Sequence, residues 1–176
     1  MRLRESEVSF FRSTMDKGHF YFIKDQYFID FPDDKLMQNK EGVNGVSHNR
    51  PSFLAFEESS SGIFWMIPIS SQVTKFRYIY NTKVERFGKC DTISFGNVLG
   101  HEKAFLIQNM CPVTNKYISN EYISNNTPVT VDGVFEKELF EKAKKVLALV
   151  RRGNKNLVFP DVIKIEKELL STINNH

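Results

Sequence analysis

The sequence predicts an α+β domain built on an antiparallel sheet or small barrel, and three observations predict it. Short aromatic and β-branched runs recur through the first two thirds of the chain, with turn residues about every 8 to 12 positions. Beyond Asp132 the apolar period changes from that of strands to that of helices. No repeat, low-complexity tract or linker divides the 176 residues, so residues 1–176 are expected to form one domain.

The elements follow in order. Phe20-Tyr21-Phe22-Ile23 is aromatic and β-branched and reads as a strand. Asp25 is placed to cap a helical turn through Phe28, which Pro32 stops. Residues 33–50 are polar, contain Gly42 and Gly45, and read as a long loop of the kind that carries function. Residues 51–56 and 63–69 are apolar strands joined by the serine-rich hairpin loop 57–62. Further strands are expected at 77–80, at 92–95, and from 104–107 towards Val113. Leu139, Phe140, Ala143, Val146, Leu147 and Val150 form one helical stripe that leaves Lys142, Lys144 and Lys145 outside. Asp132 suits the N-cap of that helix, and Arg151-Arg152-Gly153 suit its end. Pro160 opens a second helix over 160–173, with Val162, Ile165, Leu169 and Ile173 on one face. Both stripes are expected to pack on the sheet.

Composition narrows the classes. Hydrophobic residues at 41% and charged residues at 26% suit a soluble globular chain and exclude wholesale disorder. The longest apolar run, 63–69, contains Pro68 and is far short of the roughly 20 residues of a membrane helix. The charged start has no apolar run after it, so no secretory signal is visible and a cytoplasmic protein is expected. Two cysteines, Cys90 and Cys111, exclude a disulfide framework and a four-ligand zinc site. His19, His48 and His101 stand alone with no metal-ligand spacing to either cysteine, which disfavours a metal enzyme. Net charge is +3, but its distribution is uneven: residues 25–60 hold seven acids and three bases, and residues 61–120 hold seven bases and three acids. The basic middle is either the footprint of a polyanion binder or a set of solvated faces.

Two segments suit anion handling. In Ser47-His48-Asn49-Arg50-Pro51 the proline holds Arg50 extended, so His48 and Arg50 project to one side. Imidazole exchanges protons near neutral pH and guanidinium grips phosphate in a fork; alternatively the pair is a surface histidine and a salt-bridged loop arginine. In Pro68-Ile69-Ser70-Ser71-Gln72-Val73-Thr74-Lys75 an apolar strand ends in hydroxyls and a lysine, which would ring a phosphate or simply cap a turn.

Four blocks, in a consistent order over residues 19–152, carry a resemblance. They are Phe20-Tyr21-Phe22-Ile23-Lys24-Asp25-Gln26-Tyr27-Phe28 with Asp33-Asp34-Lys35 after it, His48-Asn49-Arg50-Pro51-Ser52-Phe53, Met66-Ile67-Pro68-Ile69-Ser70-Ser71 with Lys75, and Leu106-Ile107-Gln108-Asn109-Met110-Cys111-Pro112-Val113. Together they resemble the ToxN/AbiQ-like toxins of type III toxin–antitoxin systems, most closely the CptN-type branch. Residues 1–18 stand outside the resemblance as an N-terminal extension. Where the family often has Ser-Pro-Lys, three residues here separate Ser71 from Lys75.

The resemblance implies a twisted antiparallel sheet flanked by helices, related to the MazF/Kid toxins. It implies a phage-defence endoribonuclease that needs no metal or other cofactor. Cleavage would use the 2′-hydroxyl of the RNA and leave a 2′,3′-cyclic phosphate. The implied partners are cellular RNA and a small structured antitoxin RNA, cut from a repeat array by the toxin and joined with it in closed homo-oligomeric rings. Within that chemistry His48 is the acid or base and Arg50 the phosphate clamp. Ser70 and Ser71 donate to non-bridging oxygens, and Lys75 stabilises charge or serves as the other proton donor. Lys24, Arg77, Lys83, Arg86 and Lys89 are candidate RNA-backbone contacts. Tyr27, Tyr78 and Tyr80 either stack on unpaired bases or belong to the core. Two other readings share these residues: a non-catalytic single-stranded RNA-binding module, and a toxin of this fold that binds a protein target.

Overall fold

The computed structural model of the chain describes residues 15–41 and 47–175, with the backbone alone at residues 40, 41, 47 and 48. In chain order come β1 (Phe20–Ile23), α1 (Asp25–Asp30), the short pair β2 (Lys40–Glu41) and β3 (Ser47–His48), β4 (Pro51–Glu57), β5 (Phe64–Ser70) and α2 (Val73–Phe87). They are followed by β6 (Ser94–Val98), β7 (His101–Phe105), β8 (Cys111–Val113), β9 (Ile118–Glu121), β10 (Ile123–Ser124), β11 (Thr127–Pro128), α3 (Gly133–Arg151) and α4 (Val162–Asn174). No helix among the described residues is long and apolar enough to cross a membrane.

The main sheet runs β6-β7-β5-β4-β1-β9 with every neighbour antiparallel, and β8 also pairs with β5. Its end strands β6 and β9 do not pair, so among the described residues the sheet is open and not a closed barrel. On one flank β5 changes partner, from β8 at Phe64, Trp65 and Met66 to β7 at Ile69 and Ser70. Pro68 sits in that fork. Its carbonyl accepts the Leu106 N–H at 3.0 Å, so the N–H it lacks would face the same flank, where one partner gives way to the next.

Strand alternation assigns the two faces of the sheet. Phe20 stands opposite Phe53, and Ile69 opposite Phe105; the rings of Phe20, Phe53 and Phe105 pack at 5.4–6.1 Å. Helix α3 covers this face with Leu139, Ala143, Val146, Leu147 and Val150, all buried. Full burial of each of these valine and leucine side chains contributes about 1.5–3 kcal/mol. Asp132 caps α3, its carboxylate accepting from Val134 and Phe135 N–H at 3.2 and 3.4 Å. At the start of α3 Phe135 stands edge-on to Phe105 at 5.0 Å, and a β-carbon at Gly96 would collide with its ring. Helix α4 buries Val162, Ile165 and Leu169. Asp161 caps it, accepting from Lys164 N–H at 3.3 Å, so Pro160 precedes the helix instead of opening it.

The other face receives α2, where a strand is expected over 77–80. The four-residue window is rich in β-branched and aromatic side chains, but burial follows a longer period. Phe76 packs with Cys90, Ile93, Ala104 and Leu106, and Ile79, Tyr80 and Val84 join them, at helical spacing. Gly88, at φ 80°, ends α2 in the left-handed conformation that glycine adopts without strain. The first helix differs from expectation in its cap. Lys24 occupies that position without a side-chain bond, and Asp25 accepts instead from Asn39 at 2.6 Å.

Candidate active site

β5 ends at Ser70, and the chain turns through Ser71 and Gln72 into α2. Beside this turn lies a cleft of about 270 Å³ lined by Asn49, Arg50, Pro51, Ile69, Ser71, Val98, Leu99, His101, Lys103 and Tyr122. A larger hollow of about 530 Å³ between the end of α3 and the start of α4, lined by Arg151, Phe159 and Ile163 among others, holds none of the sequence candidates. The smaller cleft is the one with convergent chemistry.

Each wall has a local cause. β6 and β7 are joined by the two-residue turn Leu99-Gly100, with φ of 52° and 79°, the conformation that closes a tight hairpin. Alternation along β7 then sends His101 and Lys103 to the Phe105 side and Glu102 to the α2 side, where it accepts from Arg77 at 2.8 Å. Ser70 pairs with Ala104 in this antiparallel ladder, so Ser71, which follows the one, and Lys103, which precedes the other, lie side by side. The Lys103 ammonium donates to Ser71 Oγ at 2.8 Å. Opposite them, Arg50 donates to the Ile69 carbonyl at 2.7 Å and to the Gln38 carbonyl at 3.4 Å. Its backbone N–H reaches Asn39 Oδ1 at 3.2 Å, and Asn39 in turn donates to the Ile23 carbonyl at 3.3 Å. Burial pulls the Arg50 guanidinium below the ordinary arginine value, and it remains charged. Tyr122 stands edge-on to Phe22 at 5.4 Å at the remaining side.

Among the described residues, no carboxylate forms an ion pair with Arg50, His101 or Lys103. Two cations, a histidine, a serine hydroxyl and a tyrosine therefore face one hollow with no carboxylate partner among the described residues. That set suits a phosphodiester, which offers anionic oxygens to grip and protons to move.

The sequence candidates fall in different places. Arg50 and Ser71 line the cleft. Ser70 does not: it is buried, and its Oγ accepts the Gln72 N–H at 3.1 Å, holding the turn into α2. Successive strand residues face opposite ways, so the two serines do not share a side. Lys75 is exposed in the first turn of α2, 5.3 Å from the Phe76 ring centre, and does not line the cleft. His48 has its backbone in β3, opposite Lys40, while its side chain lies outside the described residues.

The candidate RNA contacts also divide. Lys24 and Arg86 are exposed, and Arg86 lies 5.1 Å from the Phe87 ring centre. Arg77 is tied to Glu102 and stacked over Phe95 at 3.6 Å. Lys83 donates to Thr92 Oγ1 at 2.9 Å and Gln108 Oε1 at 3.1 Å, and Lys89 pairs with Asp91 at 3.4 Å. Tyr27 is fully buried, its hydroxyl on the Pro112 carbonyl at 2.8 Å; Tyr78 is exposed, and Tyr80 packs edge-on to Phe95. His19, isolated in sequence, meets Glu121 at 2.6 Å and Asp16 at 3.8 Å. The three could hold a cation by spacing, and the short bond to Glu121 already accounts for the arrangement.

Sequence reasoning missed His101, Lys103 and Tyr122 as cleft residues. The signal for the first two was present. Leu99-Gly100 is a two-residue turn between runs of strand-forming residues, and a strand begun at His101 instead of Ala104 places His101 and Lys103 on one face.

No protein-family model and no curated protein matches the sequence significantly. The fold does have solved counterparts. One is AbiQ, described as a lactococcal anti-phage endoribonuclease belonging to the type-III toxin-antitoxin system. The likeness has a TM-score of 0.64 at 12% sequence identity, and it covers 92% of this chain and 100% of AbiQ. At that identity the chain and AbiQ share a fold.

Proposed function

We propose that the chain is an endoribonuclease toxin of the type III toxin–antitoxin kind, cutting RNA in the cleft between β4, β5 and the β6–β7 hairpin. The observation that supports it most is the set Arg50, Ser71, His101 and Lys103 around one hollow, with no carboxylate partner among the described residues, in the fold of a known endoribonuclease. In this reading the 2′-oxygen of one nucleotide attacks the adjacent phosphorus, the bond to the 5′-oxygen breaks, and a 2′,3′-cyclic phosphate remains. Arg50 grips the non-bridging oxygens and Ser71 donates to them. A histidine takes the 2′-hydroxyl proton: His101 lines the cleft, and His48 stands two residues before Arg50. Ser70 acts from behind, by holding the turn that presents Ser71.

All four roles use protein groups, so the reaction is proposed to proceed in chelator. Lys24, Lys75 and Arg86, exposed outside the cleft, are the proposed contacts to the RNA flanks, with Arg77, Lys83 and Lys89 adding charge from within their bonds. The inhibiting partner is proposed to be a repeat-derived, structured antitoxin RNA that the toxin itself cuts, in a cytoplasmic ring of toxin and RNA. Assignment to the CptN-type branch rests on the four motif blocks.

Purified protein incubated with RNA in excess chelator tests this. New fragments ending in 2′,3′-cyclic phosphate are the expected result. A mobility shift without fragments makes the chain a non-catalytic RNA binder, and neither result leaves the protein-target reading.

A further inference from the structure

We infer that Lys103, on β7, is the proton donor to the leaving 5′-oxygen in this cleft. The inference deepens the nuclease reading and rests on it. Among the described residues its ammonium is the lysine group that lines the cleft, and it is already hydrogen-bonded to Ser71 Oγ at 2.8 Å. A phosphate held by Ser71 and Arg50 would thus lie within reach of the Lys103 Nζ. Lys75, the lysine nearest Ser71 in sequence, sits in the first turn of α2 with its side chain in solvent. The three-residue gap that carries Lys75 away from Ser71 is the same segment that enters α2, so the helix removes one lysine from the site while the β5–β7 ladder delivers another.

The chemistry needs a donor of this type. As the bond from the 2′-oxygen to phosphorus forms, the 2′ proton passes to the histidine, and as the bond to the 5′-oxygen breaks, that oxygen takes a proton from Nζ. The lysine is left neutral and the histidine protonated, and exchange with water restores both. Lysine supplies both charge and a transferable proton, whereas arginine supplies charge alone. Among the described residues no carboxylate of the cleft competes for the Lys103 ammonium. Its cross-strand partner is Gly96, which brings no side chain across it.

The test compares two RNA substrates in chelator: one with the natural linkage, and one with sulfur in place of the bridging 5′-oxygen, whose thiolate leaves without protonation. Variants are Lys103→Ala, Lys103→Arg, Lys75→Ala and Arg50→Ala, each checked by thermal melting. On the natural linkage Lys103→Ala should lose about 10²- to 10⁴-fold in cleavage rate. Lys103→Arg should be similarly slow, because it keeps the charge and not the proton. On the sulfur linkage both Lys103 variants should cut within about tenfold of the wild type. Lys75→Ala, which removes only a proposed flank contact, should slow both substrates by the same factor, less than about tenfold, while Arg50→Ala should be slow on both. Equal losses on the two substrates, or none, would overturn the role of Lys103. If Arg50→Ala is slow while Lys103→Ala is normal, the cleft stands as the nuclease site and Lys103 is removed from it. A wild type that cuts neither substrate overturns both readings together.

Discussion

On the α2 side of β7, Glu102 accepts from Arg77 at 2.8 Å and Lys83 is shared between Thr92 and Gln108; ahead of β6, Lys89 and Lys145 converge on Asp91. On the opposite side, His101 and Lys103 face Arg50 across a hollow that no carboxylate of the described residues lines. Both regions are rich in basic residues, and residues 61–120 contribute to each. On the first side positive charge is spent on tying β6, α2 and α3 together. On the second it stays available to a ligand. The lesson is that a count of positive residues does not single out a candidate anion site; what singles it out is the charge left over after the described residues have made their own pairs.

The strongest way to break this contrast is to remove one residue from each side and measure cutting. Arg50→Ala should lower kcat/KM on RNA by about 10²- to 10³-fold, the usual effect of losing one donor to the developing charge. Arg77→Ala should change it less than about threefold, since an exposed pair of this kind contributes about 0–1 kcal/mol to anything. Steady-state cleavage of a labelled oligonucleotide decides it, and equal losses would erase the distinction. Binding of an uncleavable 2′-deoxy oligonucleotide should sharpen it further. The slope of log affinity against log salt should become shallower by about 0.7 for each cleft cation removed, and by clearly less for Lys83→Met, whose ammonium is already shared between Thr92 and Gln108.

The same Lys83→Met variant should act instead on stability. It leaves Thr92 and Gln108, both buried, without the ammonium they accept, at a cost of about 1–3 kcal/mol. Urea unfolding monitored by circular dichroism measures this, with Lys103→Ala as the reference expected to stay close to the wild type.

Alkali should also separate the core from the cleft. Burial pushes the Cys111 thiol up to about 12, and burial with the bond to Asp30 pushes the Tyr117 phenol up to about 12. A group whose folded value is raised stabilises the protein below its unfolded value and loses that contribution as pH rises through the folded one. Melting temperature should therefore fall between about pH 9 and 12, and Tyr117→Phe should make the fall shallower. Asp30, held below the carboxylate range by its bonds from Tyr117 and Gln26, works in the opposite sense. Its contribution is present above about pH 4 and is lost as pH falls through its lowered value, so Tyr117→Phe should also flatten the acid limb. Lys103→Ala should leave both limbs in place.

The smallest expected effect is at Leu99, a leucine at φ 52° on the cleft rim. A left-handed leucine costs roughly 1–2 kcal/mol, and asparagine tolerates that conformation better. Leu99→Asn should raise stability by about 0.5–1 kcal/mol. If RNA cutting falls at the same time, the strained leucine serves the site; if cutting is unchanged, it serves neither region.

What could be read from the sequence were the features whose cause is local. The aromatic strand at Phe20–Ile23, the hairpin of residues 51–70, α3 with its Asp132 cap, and the α4 stripe all follow from periods and caps within a few turns of chain. Arg50 and Ser71 were nameable because each stands at a strand end where polar chemistry interrupts an apolar run. Tertiary structure decided the rest. Whether residues 77–80 belong to a strand or a helix depended on what Phe76 and Val84 pack against, which a four-residue window does not contain. Whether the sheet closes depended on β6 and β9, which are not sequence neighbours. The meeting of Lys103 with Ser71 spans 32 residues and follows from the β5–β7 register, with Ser70 opposite Ala104. Local propensity carries no record of such a register, because it is chosen by which apolar face each strand must bury against α3 and α2.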